Sequence, residues 1–285
     1  MISTSDIDAI RRQVNTWRAA GETVAFVPTM GNLHQGHISL VTEGLKHADH
    51  AVASIFVNPM QFAAHEDLDT YPKTLEDDLH ALKAVGVELV FTPTPEIIYP
   101  QGIEKHAKVM VNEDAIGQCG ESLSRPHYFT GVATVVLKLF NIVQPDIAVF
   151  GRKDYQQLVA IQSMVSDLAL PIKIIGGDTY REPNGLAMSS RNNYLTIEQR
   201  EQAAIIKQTM DIISRQLRLP NNTEQVIADA EQQLKDAGLQ PDYITIRNAK
   251  TLQAVTEEDR ELIVMVAAHL GSTRLIDNQC FKISE

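Results

Sequence analysis

Cysteine is scarce: Cys119 and Cys280 are the only two in 285 residues. They share no metal-ligand spacing, which argues against a disulfide framework or a zinc knuckle and makes a reducing compartment the simple expectation. No apolar run is long enough to span a bilayer, and Met1-Ile2-Ser3-Thr4-Ser5-Asp6 lacks the basic and apolar stretches of a secretion signal. The expectation is a cytoplasmic protein with no membrane partner. Positive charge is also short, with 25 Lys and Arg against 36 Asp and Glu for a net charge of −11. That balance disfavours nucleic acid as a partner, because binding a phosphate backbone needs a basic face. It leaves room for a local basic pocket around a nucleotide. Familiar signatures are missing too. Without G-x-x-x-x-G-K-[ST] the chain is not a P-loop protein, and without G-x-G-x-x-G after the first strand a dinucleotide dehydrogenase is disfavoured. Nothing matches G-x-S-x-G or H-E-x-x-H.

What is present is the texture of a globular protein. Apolar content of 44% and charged content of 21% are ordinary for a soluble domain, and 285 residues suffice for a large core or two domains. Short β-branched runs at Val24–Pro28, Ala51–Val57, Glu88–Thr92, Asp146–Phe150 and Ile172–Ile175 read as strands. Between them Thr74–Val85, Val132–Val143 and Tyr155–Leu168 have helical spacing, with Thr74 as the N-cap of the first. This β-α-β rhythm predicts an α/β fold, a Rossmann-like doubly wound parallel sheet whose ligands bind at the carboxyl ends of the strands. After Tyr180 the pattern changes to helices at Glu198–Leu217 and Thr223–Ala237, then strands at Tyr243–Arg247 and Leu262–Ala268 and a short one at Arg274–Ile276. Leu219–Thr223 reads as the turn joining the two helices. The predicted domains are therefore 1–178 and a smaller α+β domain, 179–285.

The chemistry-bearing segments fall at the expected strand ends. Pro28-Thr29-Met30-Gly31-Asn32-Leu33-His34-Gln35-Gly36-His37 follows the first buried strand and opens a helix, where free N–H groups and the helix dipole favour phosphate. Alone, two histidines three apart are as readily a capping or surface pair, or a stray metal site, as a phosphate site. Met188-Ser189-Ser190-Arg191 adds two hydroxyls and a cation suited to phosphate oxygens and a pyrophosphate leaving group. Phe150-Gly151-Arg152-Lys153-Asp154-Tyr155-Gln156-Gln157 brings a lysine to another strand-to-helix turn, and Asn58 and Gln61 bring amides suited to a small carboxylate or hydroxyls. Together these parts suggest adenylyl transfer from ATP, in which donors meet charge developing on the α-phosphate. The other histidines, including His47, His50, His65, His80, His106 and His269, lack a partner set and read as surface or core residues.

Val27–Gly31 with His34 and His37, Ser54–Phe62, Tyr71–Thr74, Val132–Val143, Gly151–Gln157 and Gly185–Leu195 together resemble the pantoate–β-alanine ligase family of the nucleotidylyltransferase superfamily, over nearly the whole chain. The resemblance implies a two-step reaction: pantoate attacks ATP to form pantoyl adenylate and pyrophosphate, then β-alanine displaces AMP. It places ATP against Met30, Gly31, Asn32, Leu33, His34, Gln35, Gly36 and His37, against Gly151, Arg152, Lys153 and Asp154, and against Tyr180, Met188, Ser189, Ser190 and Arg191. It places pantoate against Gln61 and Gln157, and β-alanine near Gln61. His37, His34, Lys153 and Arg191 carry the catalytic expectation, with His37 as the family's proposed acid. Magnesium is expected with ATP, and a homodimer is a family expectation. Three departures stand out: Arg152 where the family usually has glutamate, His127-Tyr128 in place of Gly-His, and Gly177-Asp178 in place of Val-Pro. Two other readings of the residues stay open, an adenylate-forming ligase for a different acid and amine, and a nucleotide-binding module that does not catalyse.

Overall fold

A computed structural model describes residues 1–63, 66–217 and 222–283. In chain order its elements are β1 (Ile2–Thr4), α1 (Ile7–Ala19), β2 (Val24–Thr29), α2 (Gln35–Gly44), β3 (His50–Ile55), α3 (Leu75–Ala84), β4 (Leu89–Phe91) and α4 (Pro95–Ile98). Then come α5 (Glu113–Ile116), α6 (Glu121–Ser124), α7 (Tyr128–Val143), β5 (Ile147–Gly151), α8 (Tyr155–Asp167) and β6 (Lys173–Gly177). Last are α9 (Ile197–Ala203), α10 (Ile205–Gln216), α11 (Thr223–Asp236), β7 (Gln240–Asn248), β8 (Glu261–Leu270) and β9 (Thr273–Lys282).

Two compact units divide the chain. The first comprises Met1–Val111, His127–Arg152 and Gln157–Asp178. Its six strands form a parallel sheet in the order β1-β4-β3-β2-β5-β6, the α/β architecture expected. Phe26 and Val27 are successive residues on opposite faces of β2, and both are buried. Phe26 joins Trp17 of α1, Phe140 of α7 and Ile161 of α8 in one core cluster. Val27 joins Leu40 and Val41 of α2 and Leu82 of α3 in another. Helices on both faces explain why the strand is apolar throughout instead of alternating. The strand order reverses between β2 and β5, so the loop after β2 and the turn after β5 leave the sheet at the kind of crevice where α/β folds bind ligands.

The second unit comprises Asn112–Pro126, Lys153–Gln156 and Thr179–Glu285, of which 218–221 and 284–285 lie outside the described residues. It holds the antiparallel sheet β7-β8-β9, whose apolar side packs against α10 and α11 around Met210, Ile213, Leu234 and Val264. The segments 112–126 and 153–156 group with the C-terminal residues from Thr179 onward. Side chains far apart in sequence cause this. Gln156 donates from Nε2 to the carbonyls of Ile116 and Cys119, at 3.0 and 2.9 Å, and its Oε1 accepts from the Glu121 amide at 2.8 Å.

Several elements differ from expectation. β9 is a ten-residue strand, not the short Arg274–Ile276, because polar Asp277 and Asn278 continue it with buried partners described below. The helix expected at Glu198–Leu217 is two helices, joined by a tighter turn at Ala204, whose amide bonds back only three residues to Glu201. The strand β1 and helix α1, with Ile10, Val14 and Trp17 buried at helical spacing, were not foreseen. Thr74 precedes α3 but makes no side-chain cap; its hydroxyl bonds Asp78 instead. Of the turn expected at Leu219–Thr223, residues 219–221 lie outside the described residues, as does His65. His50 does have partners: its ring stacks on Trp17 at 4.2 Å, and its nitrogens meet Glu88 at 2.7 Å and Glu22 at 2.9 Å. Burial opposes the charged imidazole, yet the two carboxylates outweigh it and raise the pKa above the usual histidine value.

Candidate active site

In the first unit the site is built on the loop from β2 to α2. Gly31 has φ +82, and a Cβ there would come within 3.0 Å of Asp78 Oδ2 and 3.1 Å of Ile55 Cγ2, so the turn requires glycine. Asp78, buried on α3, accepts the amide of Asn32 at 2.9 Å and that of Leu33 at 2.8 Å. The loop is thereby pinned to a neighbouring helix. His34 then caps α2: its Nδ1 accepts the Gly36 amide at 3.1 Å, while the His34 amide donates to Nδ1 of His37 at 3.3 Å. Each ring thus uses Nδ1 as an acceptor, which assigns the proton of the neutral imidazole to Nε2. The ring centroids lie 4.1 Å apart, and both residues stand in the first turn of a helix free of acidic side chains there.

The two amides after β3 have different roles. Asn58 is 1% exposed; its Oδ1 accepts the Tyr99 hydroxyl at 2.7 Å and the Met60 amide at 3.3 Å. Its Nδ2 donates to Gln61 Oε1 at 3.1 Å and to the Gly131 carbonyl at 3.2 Å. Asn58 is therefore a support that orients Gln61 rather than a group offered to a small molecule. Gln61 directs its own Nε2 to Met30 Sδ at 3.1 Å, joining the two loops. Gln157 accepts the Tyr128 hydroxyl at 2.9 Å on its Oε1, which turns its amide N–H groups into the presented end. Tyr128 belongs to the His127-Tyr128 departure, so this substitution supplies a buttress for Gln157.

The other two departures meet each other. Arg152 donates from Nε to the Gly176 carbonyl at 3.1 Å and places Nη1 3.7 Å from Asp178 Oδ1. Both side chains are exposed, so the pair is worth little, but it turns the added charge toward β6. A Cβ at Gly177 would come within 2.3 Å of Leu40 Cδ2, so a side chain there requires the end of Leu40 to move.

In the second unit, Lys153 lies in a short turn after β5, with Nζ 3.9 Å from Asp154 Oδ1. Tyr180–Met188 forms a hairpin: Met188 donates to the Tyr180 carbonyl at 2.9 Å, and Arg181 bridges Ala187. Ser189 caps the turn Ser190–Tyr194 by accepting the Arg191 amide at 3.2 Å, and its O–H keeps its donor capacity. Buried Asn192 ties this turn down through Glu182 Oε1 at 2.8 Å and the Ala187 carbonyl at 3.1 Å.

The sequence model of the pantoate–β-alanine ligase family matches residues 3–280. The chain belongs to that family. It is 59% identical to a pantothenate synthetase of Shewanella woodyi and 58% identical to one of Shewanella piezotolerans, in each case over 99% of this chain and at least 99% of the relative. Its fold matches a crystal structure of pantothenate synthetase from Thermus thermophilus, with a TM-score of 0.83 and 38% identity over 98% of this chain and 99% of that one. It also matches pantoate–β-alanine ligase from Francisella tularensis complexed with β-γ ATP and β-alanine, at a TM-score of 0.81 and 34% identity over 98% and 97% of the two chains.

For this ligase, sequence reading missed the supporting residues. Asp78 lies in an acidic first turn, Glu76-Asp77-Asp78, that reads as ordinary helix-dipole chemistry. Asn192 sits one residue beyond the serine-arginine motif, and Asp277 and Asn278 break the apolar pattern of a strand. That break was the available signal.

Proposed function

We propose that this ligase condenses pantoate with β-alanine in two steps and uses His34, His37, Lys153 and Arg191 to manage phosphate charge. The supporting observation is the histidine pair, whose Nδ1 atoms accept backbone amides and so hold each Nε2–H as a donor at a helix N-terminus. In the first step a pantoate carboxylate oxygen bonds the α-phosphorus of ATP while the bond to the β-phosphate bridge breaks, releasing pyrophosphate. Negative charge grows on the α-phosphate and the leaving group, where fixed donors act most strongly. His34 and His37 donate to phosphate, His37 without complete proton transfer, and Lys153, Ser189, Ser190 and Arg191 receive the pyrophosphate. In the second step the β-alanine amine bonds the acyl carbon, AMP leaves with the bridging oxygen, and the amine loses a proton. Gln61 and Gln157 hold pantoate, and the amine arrives near Gln61.

Among the described residues no group of three or more His, Cys, Asp or Glu is placed to hold a metal ion. Magnesium in this reading is carried by the ATP phosphates, where it supplies charge neutralisation, and Asp154 is the carboxylate beside Lys153. We place the enzyme in the cytoplasm, on the support of its biosynthetic family. No described helix is long and apolar enough to cross a membrane. We assign a homodimer from the family expectation, which sedimentation equilibrium tests.

The deciding experiment is exchange of labelled pyrophosphate into ATP with magnesium present and β-alanine absent. Exchange that requires pantoate is expected. ATP binding without exchange on any acid identifies a non-catalytic module, and exchange driven only by another acid identifies a ligase of different substrate.

A further inference from the structure

Asp277 and Asn278 stand in the middle of β9, opposite Val266 and Met265 of β8, and are only 5% and 8% exposed. A buried carboxylate and a buried amide destabilise a sheet unless each is paired. Both are. Asp277 receives a two-pronged ion pair from Arg181, Nη1 to Oδ2 at 2.6 Å and Nη2 to Oδ1 at 3.1 Å, a planar fork that fixes direction as well as distance. Arg181 Nη1 also holds the Gly185 carbonyl at 3.0 Å, so the guanidinium closes the hairpin that leads to Ser189. Asn278 donates from Nδ2 to the Lys153 carbonyl at 2.6 Å. The backbone N–H of Asn278 in turn donates to Asp277 Oδ1 at 2.8 Å, linking the two grips.

We propose that Asp277 and Asn278 are positioning residues that set Lys153 and the Ser189–Arg191 segment in register for the β- and γ-phosphates of ATP. The inference rests on the assignment of those segments to ATP made above. In this role neither residue needs to touch the nucleotide. They act because adjacent residues of one hydrogen-bonded strand cannot change their spacing, so the lysine turn and the hairpin root inherit a fixed separation. The selectivity that follows is for the outer phosphates, since AMP lacks them.

The test is titration calorimetry of Mg-ATP and of AMP with the wild-type chain, Asn278→Ala and Asp277→Asn, alongside melting temperatures. Asn278→Ser, still polar, replaces the alanine variant if that does not fold. Expected is an ATP affinity about tenfold weaker in each variant with AMP affinity changed by less than about twofold. Pantoate-dependent exchange is expected to slow by about 10²-fold, the cost of roughly 1 Å of misplacement. Equal weakening of ATP and AMP, or no weakening of either, overturns the positioning role whatever happens to the melting temperature. Failure of the wild type to bind ATP overturns both this role and the ATP assignment. A wild type that binds ATP but exchanges pyrophosphate with no pantoate dependence overturns the acid assignment alone, and the ATP-to-AMP comparison still decides the role of β9.

Discussion

Each imidazole of the His34–His37 pair commits one nitrogen to the backbone of its own helix and keeps the other as a donor. In the proposed reaction His37→Ala therefore removes two things at once. Loss of the capping contact costs about 1 kcal/mol of stability, whereas loss of a donor to the developing charge lowers pantoate-dependent turnover by about 10²- to 10³-fold. Steady-state exchange at saturating ATP, with folding checked by circular dichroism, separates the two, and near-wild-type turnover would show that His37 is a cap alone. His50 is a histidine of another kind, with its raised pKa set by Glu88 and Glu22 against the opposing effect of burial. A group whose folded pKa is raised stabilises fully below the unfolded value and loses that contribution as pH climbs through the folded value. His50→Gln should thus lose about 0.5–1 kcal/mol near pH 5.5 and much less near pH 9, the small size reflecting half-exposed glutamates. Urea midpoints at the two pH values measure it; an equal loss at both removes the ion pairs as its cause.

At the scale of elements, the short helix α6 is held by charges rather than by its own length. The four-residue helix α6 begins at Glu121, which is 6% exposed and accepts from Arg274 at 2.7 Å, the Tyr243 hydroxyl at 2.9 Å and Arg125 at 3.3 Å. Burial alone would raise the Glu121 pKa, but Arg274, helped by Arg125 and Tyr243, lowers it. The carboxylate accordingly stabilises the unit above its unfolded pKa, and the contribution disappears as pH falls through the folded value. Glu121→Gln keeps the shape and leaves Arg274 without its buried partner, a change expected to destabilise by about 3 kcal/mol at neutral pH. Denaturant unfolding checks this, and a loss below about 1 kcal/mol would mean that Asp242, also bonded to Arg274, suffices to neutralise it.

At the scale of the molecule, the two units have separate buried clusters, one set around the parallel sheet and one around β7–β9. A chain of 285 residues built this way is expected to unfold outside the two-state limit, with a calorimetric enthalpy larger than the van't Hoff enthalpy. Equal enthalpies in differential scanning calorimetry would show instead that both clusters melt together. The parallel sheet was legible in the chain because its strands, buried on both faces, are unbroken apolar runs such as Val24–Val27, and because glycines and histidines punctuate the turn after them. The candidate residues His34, His37, Lys153 and Arg191 could be nominated for a similar reason: their chemistry shows in residue type and local spacing. What holds them was not. Asp78 reaches back 45 and 46 residues to the amides of Leu33 and Asn32, and Asn278 reaches 125 residues to Lys153. Local periodicity carries no record of such pairings. The sequence by itself determined the fold class and nominated the candidate reacting groups, because burial and chemistry are written residue by residue. Only the tertiary structure decided which polar side chains support them, because a buried carboxylate or amide is defined by the distant partner that satisfies it.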